Sequence, residues 1–113
     1  MQVIIAGSRK GCPQKVIESG INNSGFDISV VISGGAKGID SQGEAWARQN
    51  RIPVIRMPAE WDKHGKSAGY KRNVQMSEQA DALIAFWDGS SKGTGHMIDI
   101  AKKKGLPTKV YTI

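Results

Sequence analysis

The stretch Ile28-Ser29-Val30-Val31-Ile32-Ser33-Gly34-Gly35-Ala36-Lys37-Gly38-Ile39-Asp40 decides the fold. A β-branched apolar run ends at a serine, three glycines follow within five positions, and a helical pattern then runs from Asp40 to Arg51 around Ala45, Trp46 and Ala47. A strand this continuously apolar is buried on both faces, as the strands of parallel sheets are. Glycines between a strand and a helix let backbone N–H groups approach an anion closely. The helix that follows turns its free N–H groups and the positive end of its dipole toward the same place.

The same unit recurs on either side. Val3-Ile4-Ile5-Ala6 stops at Gly7-Ser8-Arg9, and Val54-Ile55-Arg56-Met57 lies between Pro53 and Pro58. Ala82 to Trp87 stops at Asp88-Gly89, and Lys109 to Ile113 supplies a fifth strand. Between them Pro13 opens a helix with Val16, Ile17 and Ile21 on one stripe. Lys66 to Gln79 carries Val74 and Met76. Thr94 to Lys104 carries Met97, Ile98 and Ala101, gathers three lysines in its last turn and stops at Gly105. Strand and helix in alternation predict an α/β, single-domain Rossmann-like fold over residues 1–113: a five-stranded, mainly parallel sheet with helices on both faces. The stretch from Pro58 to Tyr70 reads as an irregular, functional loop, with Trp61 as a lid or core aromatic and His64 at the surface.

Composition narrows the function. The chain has 113 residues, with 16 Lys and Arg against 10 Asp and Glu, so the net charge is 16 − 10 = +6. That excess favours an anionic partner such as a nucleotide, a nucleic acid or another phosphate. The lone Cys12 excludes an internal disulfide framework and a cysteine-rich zinc site, and points to a reducing, cytoplasmic setting. No apolar run approaches the roughly 18–20 residues of a membrane span. The start, Met1-Gln2-Val3-Ile4-Ile5-Ala6, lacks the basic region of a signal peptide. Nothing in the residues calls for a metal or a cofactor, and no catalytic residue can be assigned.

Open α/β sheets bind ligands at the carboxyl ends of their strands, where the strand order reverses. Collecting the residues that leave each strand gives Gly7, Ser8 and Arg9, then Gly34, Gly35, Ala36, Gly38 and Asp40, then Asp88, Ser91, Gly93 and Thr94. Lys66 and Arg72 add positive charge, arginine being suited to bidentate phosphate contact. Two helix N-termini, those after Gly38 and after Gly93, are expected to face one cleft. Asp40 reads as a first-turn carboxylate, and Cys12 as a packed thiol.

These residues resemble the YspA-type, YpsA-related branch of the SLOG superfamily, which also includes the LOG phosphoribohydrolases and the DNA-processing protein DprA. The likeness runs through Gly7-Ser8-Arg9, Ser33 to Asp40, Ala59 to Gly69, Arg72-Asn73, Met76, Asp81 to Gly89, Ser91 and Gly93-Thr94. It implies a Rossmann-like sheet and a nucleotide-derived ligand, and it adds Asn73 to the site. In LOG enzymes the Gly-Thr motif continues to a glutamate three residues on, and here Met97 stands in that place. Cleavage of an N-glycosidic bond needs a carboxylate, so LOG-type hydrolysis would require Asp40, Glu44 or Asp88 instead.

The expected function is therefore binding of a nucleoside phosphate, ADP-ribose or an NAD derivative, as a sensor or sequestering module. A nucleotide-processing enzyme is one alternative. Binding of single-stranded nucleic acid is another, with three tryptophans available for stacking. A homo-oligomer is expected, with Trp46, Met97 and Ile98 either as contact residues or packed in the core.

Overall fold

Residues alternate strictly between two cores along the central strands, and this fixes the layers. In β1 (Gln2–Gly7) Val3 and Ile5 face one core, while Ile4 and Ala6 face the other. In β4 (Ala82–Trp87) Ile84 and Phe86 join the first core, and Leu83 and Ala85 the second. Only a strand covered on both sides needs apolar residues at every position, so the continuous runs in the sequence carry this arrangement directly.

The computed structural model describes residues 1–113. Its sheet has the order β3-β2-β1-β4-β5, with β2 at Val30–Ser33, β3 at Val54–Arg56 and β5 at Thr108–Thr112. Every neighbouring pair is parallel. Helices α1 (Gln14–Asn22) and α2 (Ile39–Gln49) cover one face through Ile17, Ile21, Ile39, Trp46 and Ala47. Helices α4 (Ala68–Gln79) and α5 (Lys92–Lys103) cover the other through Met76, Met97, Ile98 and Ala101. The α/β Rossmann-like architecture is the one the sequence predicts. No helix is long and apolar enough to cross a membrane.

Three expectations need correction. The stretch after Pro58 is not irregular throughout. Trp61–His64 forms a one-turn helix, α3, and Gly65–Ser67 a turn of 3-10 helix that runs into α4. Its first bonds are local, the N–H groups of Lys63 and His64 donating to the Glu60 carbonyl, and one turn has no apolar period to read. Strand β2 begins at Val30 rather than Ile28, because the N–H groups of Ser29 and Val30 both turn to the Met1 carbonyl before the ladder starts. Trp46, Met97 and Ile98 are buried in the two cores, so they present no face to a second copy.

Close approaches hold the glycine-rich turn. Gly38 sits at φ +76°, and a Cβ there would lie 2.4 Å from the carbonyl oxygens of both Ser8 and Arg9. The turn before α2 is thereby pressed against the end of β1, where the Ile39 N–H donates to the Ser8 carbonyl at 3.1 Å. Gly38→Ala is expected to cost at least about 2 kcal/mol, combining overpacking with a left-handed backbone. Gly93, helical with open space around it, is expected to accept Ala without loss of stability. Urea denaturation of the two variants checks both, and equal midpoints would contradict the packing account.

Candidate functional site

The strand order reverses between β1 and β4. From β1 the chain passes to α1 on one face, and from β4 to α5 on the other. The two carboxyl ends thus diverge, and a cavity of about 470 Å³ opens beside them. That is within the range of small-molecule sites, roughly 300–1,000 Å³.

Most of the residues picked from the sequence meet here. Gly7, Ser8 and Arg9 come from the end of β1, Ala36 and Asp40 from the start of α2, and Lys66, Arg72 and Asn73 from the 3-10 turn and α4. Asp88, Ser91, Gly93 and Thr94 come from the β4–α5 connection. Gly34, Gly35 and Gly38 do not line the cavity, and they shape the turn behind it. A Cβ on Gly34 would fall 2.3 Å from Arg72 Nη1 and 2.9 Å from Asp40 Oδ2. The missing side chain is what lets the guanidinium reach the Gly34 carbonyl, at 2.8 Å.

Arg72 starts a chain of polar contacts. Its Nε donates to Asn73 Oδ1 at 3.1 Å, and the Asn73 amide donates to the Gly93 carbonyl at 3.1 Å and meets His96 Nδ1 at 3.2 Å. An amide N–H facing Nδ1 assigns that nitrogen as acceptor, so the imidazole is neutral with its proton on Nε2. Burial pushes the His96 pKa down in the same sense. Burial also pushes the Arg72 pKa down, against the attraction of Asp40 and with the repulsion of Arg9. The Asp40 carboxyl is held above its ordinary value by burial, although the Ala36 N–H and Arg72 both oppose the rise. Asp88 goes the other way. Its Oδ1 accepts the Ser90 and Ser91 N–H groups at 2.9 and 2.8 Å, and those bonds hold its carboxyl below the usual range.

The two helix N-termini differ. In the turn before α2 Gly35 donates to Ser33 Oγ and Ala36 to Asp40 Oδ2, and the first helical N–H, that of Ile39, donates to the Ser8 carbonyl, while those of Asp40 and Ser41 find no acceptor in the chain. At α5 no side chain caps the first turn, and the N–H groups of Lys92, Gly93 and Thr94 find no acceptor in the chain. Both helix ends thus keep free N–H groups, three at α5 and two at α2, where the Ser8 carbonyl takes the first.

Sequence reasoning missed part of the lining. Lys10, Gly69, Tyr70, Met76 and Met97 also face the cavity, and Trp61 joins them as a wall residue. Lys10 follows Arg9 directly and was legible as charge. The apolar members were not, because Met76 and Met97 belong to helix stripes that read as core. His96, unremarked in the sequence, is tied to the site through Asn73. A second network lies behind it and takes up Glu44, one of the carboxylates that hydrolysis would require and one that does not line the cavity. Buried Glu44 accepts from Ser33 Oγ at 2.6 Å and from Arg56 Nη2 at 2.5 Å, and those bonds outweigh its burial and hold its carboxyl low. Of the three tryptophans, Trp46 is core and Trp87 is half-buried with Nε1 donating to the Ser91 carbonyl, which leaves only Trp61 exposed. The chain brings no group of three or more His, Cys, Asp or Glu together in a metal-holding arrangement.

The Asp40 carboxyl has a measurable signature. A folded-state pKa above the unfolded value, about 3.9, means a contribution to stability that is complete below that pH and lost as pH rises through the folded value. Asp40→Asn keeps an oxygen for the Ala36 N–H and removes the buried charge. It is expected to raise the melting temperature at pH 7, with the gain vanishing as pH falls toward about 4. A lower melting temperature at pH 7 would show that attraction to Arg72 outweighs burial.

Comparison with known proteins supplies the relationship. The profile of the YspA, cpYpsA-related SLOG family matches residues 1–64. The Gene 61 protein of Mycobacterium phage D29 is 36% identical over 117 aligned positions, covering 94% of this chain and 92% of that protein. Among solved structures, DNA processing protein A (DprA) from Streptococcus pneumoniae superposes with a TM-score of 0.77 at 20% identity, over 96% of this chain. This chain spans about half of that one, 49% of its length, and at that identity the likeness speaks for the fold. With the family profile matched over more than half its length and a relative alike along nearly all of both chains, the chain belongs to the YspA, cpYpsA-related family of SLOG proteins.

Proposed function

We propose that the cavity binds a nucleotide or nucleotide-derived phosphate, with the phosphate at the open N-terminus of α5. The observation that carries this reading is the set of unpaired N–H groups at Lys92, Gly93 and Thr94, beside a cavity that Gly93 and Thr94 line. Such a helix end favours negative charge through its free donors and its dipole. The side chains agree with it. Arg9, Lys10, Lys66 and Arg72 line the cavity against two carboxylates, Asp40 and Asp88. Burial disfavours the charge on Asp40, and two backbone N–H groups occupy Asp88. The field left over is positive. Ser8, Ser91 and Thr94 add hydroxyls for ribose or phosphate oxygens. The net charge of +6 steers an anion toward the protein as a whole.

A second reading rests on Asp40. A buried carboxyl with a raised pKa beside an arginine, lining the cavity, is the environment of a general acid. Asp40 would then take the place that Met97 leaves without a carboxylate, and the protein would cleave its nucleotide rather than hold it.

One experiment addresses both. The protein is melted with nucleoside mono-, di- and triphosphates, ADP-ribose and NAD, and each sample is then chromatographed. A ligand at 100 times its Kd adds about 2.7 kcal/mol, on the order of 10 °C for a domain of this size. The expected result is a shift with the ligand recovered intact. Recovery of a cleaved product, lost in Asp40→Asn, would favour the enzyme. Gly93→Asp supplies the sharper check: an aspartate in the first turn suits the helix dipole, so folding is kept, while its carboxylate repels the phosphate. Affinity is expected to fall by more than about tenfold, roughly 1.4 kcal/mol. An unchanged affinity would place the phosphate elsewhere.

A further inference from the structure

We infer that Trp61 is a stacking platform for the nucleobase, and so sets the preference for a whole nucleotide over its sugar phosphate. The inference rests on the nucleotide reading of the cavity and adds to it which end of the ligand lies where. Trp61 is 51% exposed, the largest such fraction among the big apolar side chains of the protein. It belongs to neither core. An indole left half in water on a folded segment is an unused apolar surface, and here that surface lines the cavity.

The segment around Trp61 is built to present the ring. The one-turn helix Trp61–His64 ends at Gly65, which takes φ +56° and turns the chain into the 3-10 turn and α4. The indole then lies over Gly69 of α4, where a Cβ would sit 3.4 Å from Trp61 Cη2. A small residue there gives the indole a place to rest without displacing it. The neighbouring aromatic, Tyr70, also lines the cavity, but its ring is already engaged edge to face with His96, with centroids 4.5 Å apart. Trp61 is the aromatic left free.

The free helix-end donors and the hydroxyls of Ser8 and Thr94 belong to the end of β1 and the start of α5. The aromatic lining comes from α3 and α4, at Trp61 and Tyr70, with the cations Lys66 and Arg72 on the same side. A ligand charged at one end and planar at the other satisfies both. Every nucleobase offers a π-face, and alanine substitution of a stacking aromatic typically loosens binding by about fivefold to 150-fold.

The probes are AMP and ribose 5-phosphate, titrated calorimetrically into the wild-type protein, Trp61→Ala and Trp61→Phe. The quantity read is the ratio of the two dissociation constants. Wild-type protein is expected to prefer AMP, Trp61→Ala to lose that preference by at least about fivefold, and Trp61→Phe, which keeps a ring, to recover most of it. A ratio unchanged in Trp61→Ala, with both probes still bound by the wild type, overturns the platform and leaves the phosphate site standing. A ratio that falls as far in Trp61→Phe as in Trp61→Ala also overturns it, since stacking should survive in a phenyl ring. Binding of neither probe by the wild type overturns this inference together with the nucleotide reading beneath it.

Discussion

The site depends on one crossing: the Arg72 guanidinium reaches from α4 over the end of the sheet to the Gly34 carbonyl, 2.8 Å away. A Cβ at position 34 would enter the guanidinium and push it off the carbonyl, so the crossing requires glycine there. A hydrogen bond to a charged group contributes about 1.5–3 kcal/mol, and this one joins a helix on one face of the sheet to the turn that feeds the helix on the other. The rest follows from it. Asp40 tolerates burial beside Arg72, Asn73 is aligned by Arg72 Nε, and through Asn73 the order extends to Gly93 and His96. The mouth of the cavity is thus fixed from α2 to α5 by side chains that are themselves held.

That arrangement explains a charge pattern which would otherwise look self-defeating. Two carboxylates would weaken the proposed anion site. Asp88 instead spends its charge on the N–H groups of Ser90 and Ser91, shaping the connection that delivers α5. Asp40 accepts the Ala36 N–H in the turn before α2 and offsets the repulsion between Arg72 and Arg9. The α5 end keeps more free N–H groups than the α2 end, where the Ser8 carbonyl takes the first, and this favours α5 for the proposed phosphate. Gly38 keeps the α2 end pressed against β1, so this asymmetry is built into the backbone as well.

Much of this was legible in the residues. Continuous apolar runs at Val3, Val31 and Leu83 required a sheet covered on both faces, and the glycine turns marked the edge at which the cavity opens. What the sequence hid has physical causes. A one-turn helix such as Trp61–His64 is too short to show a period. Met97 and Met76 sit on core stripes and line the cavity as well, a double role that spacing cannot reveal. How the turn before α2 is held lay in which acceptors, Ser8 and Asp40, fold back onto the N–H groups of Ile39 and Ala36. That is a matter of tertiary placement. Trp46, Met97 and Ile98 were open to reading as a contact face only because a helix stripe does not say which partner buries it.

The most direct test of the central claim is an amide chemical-shift map of the isotope-labelled protein titrated with AMP. The account predicts the largest changes at Lys92, Gly93 and Thr94, whose N–H groups are free, with smaller ones at Ser8 and Arg9, and little at Gly35, Ala36 and Ile39, whose N–H groups already have acceptors. Changes centred on the α2 end, or none along the carboxyl edge of the sheet, would contradict it.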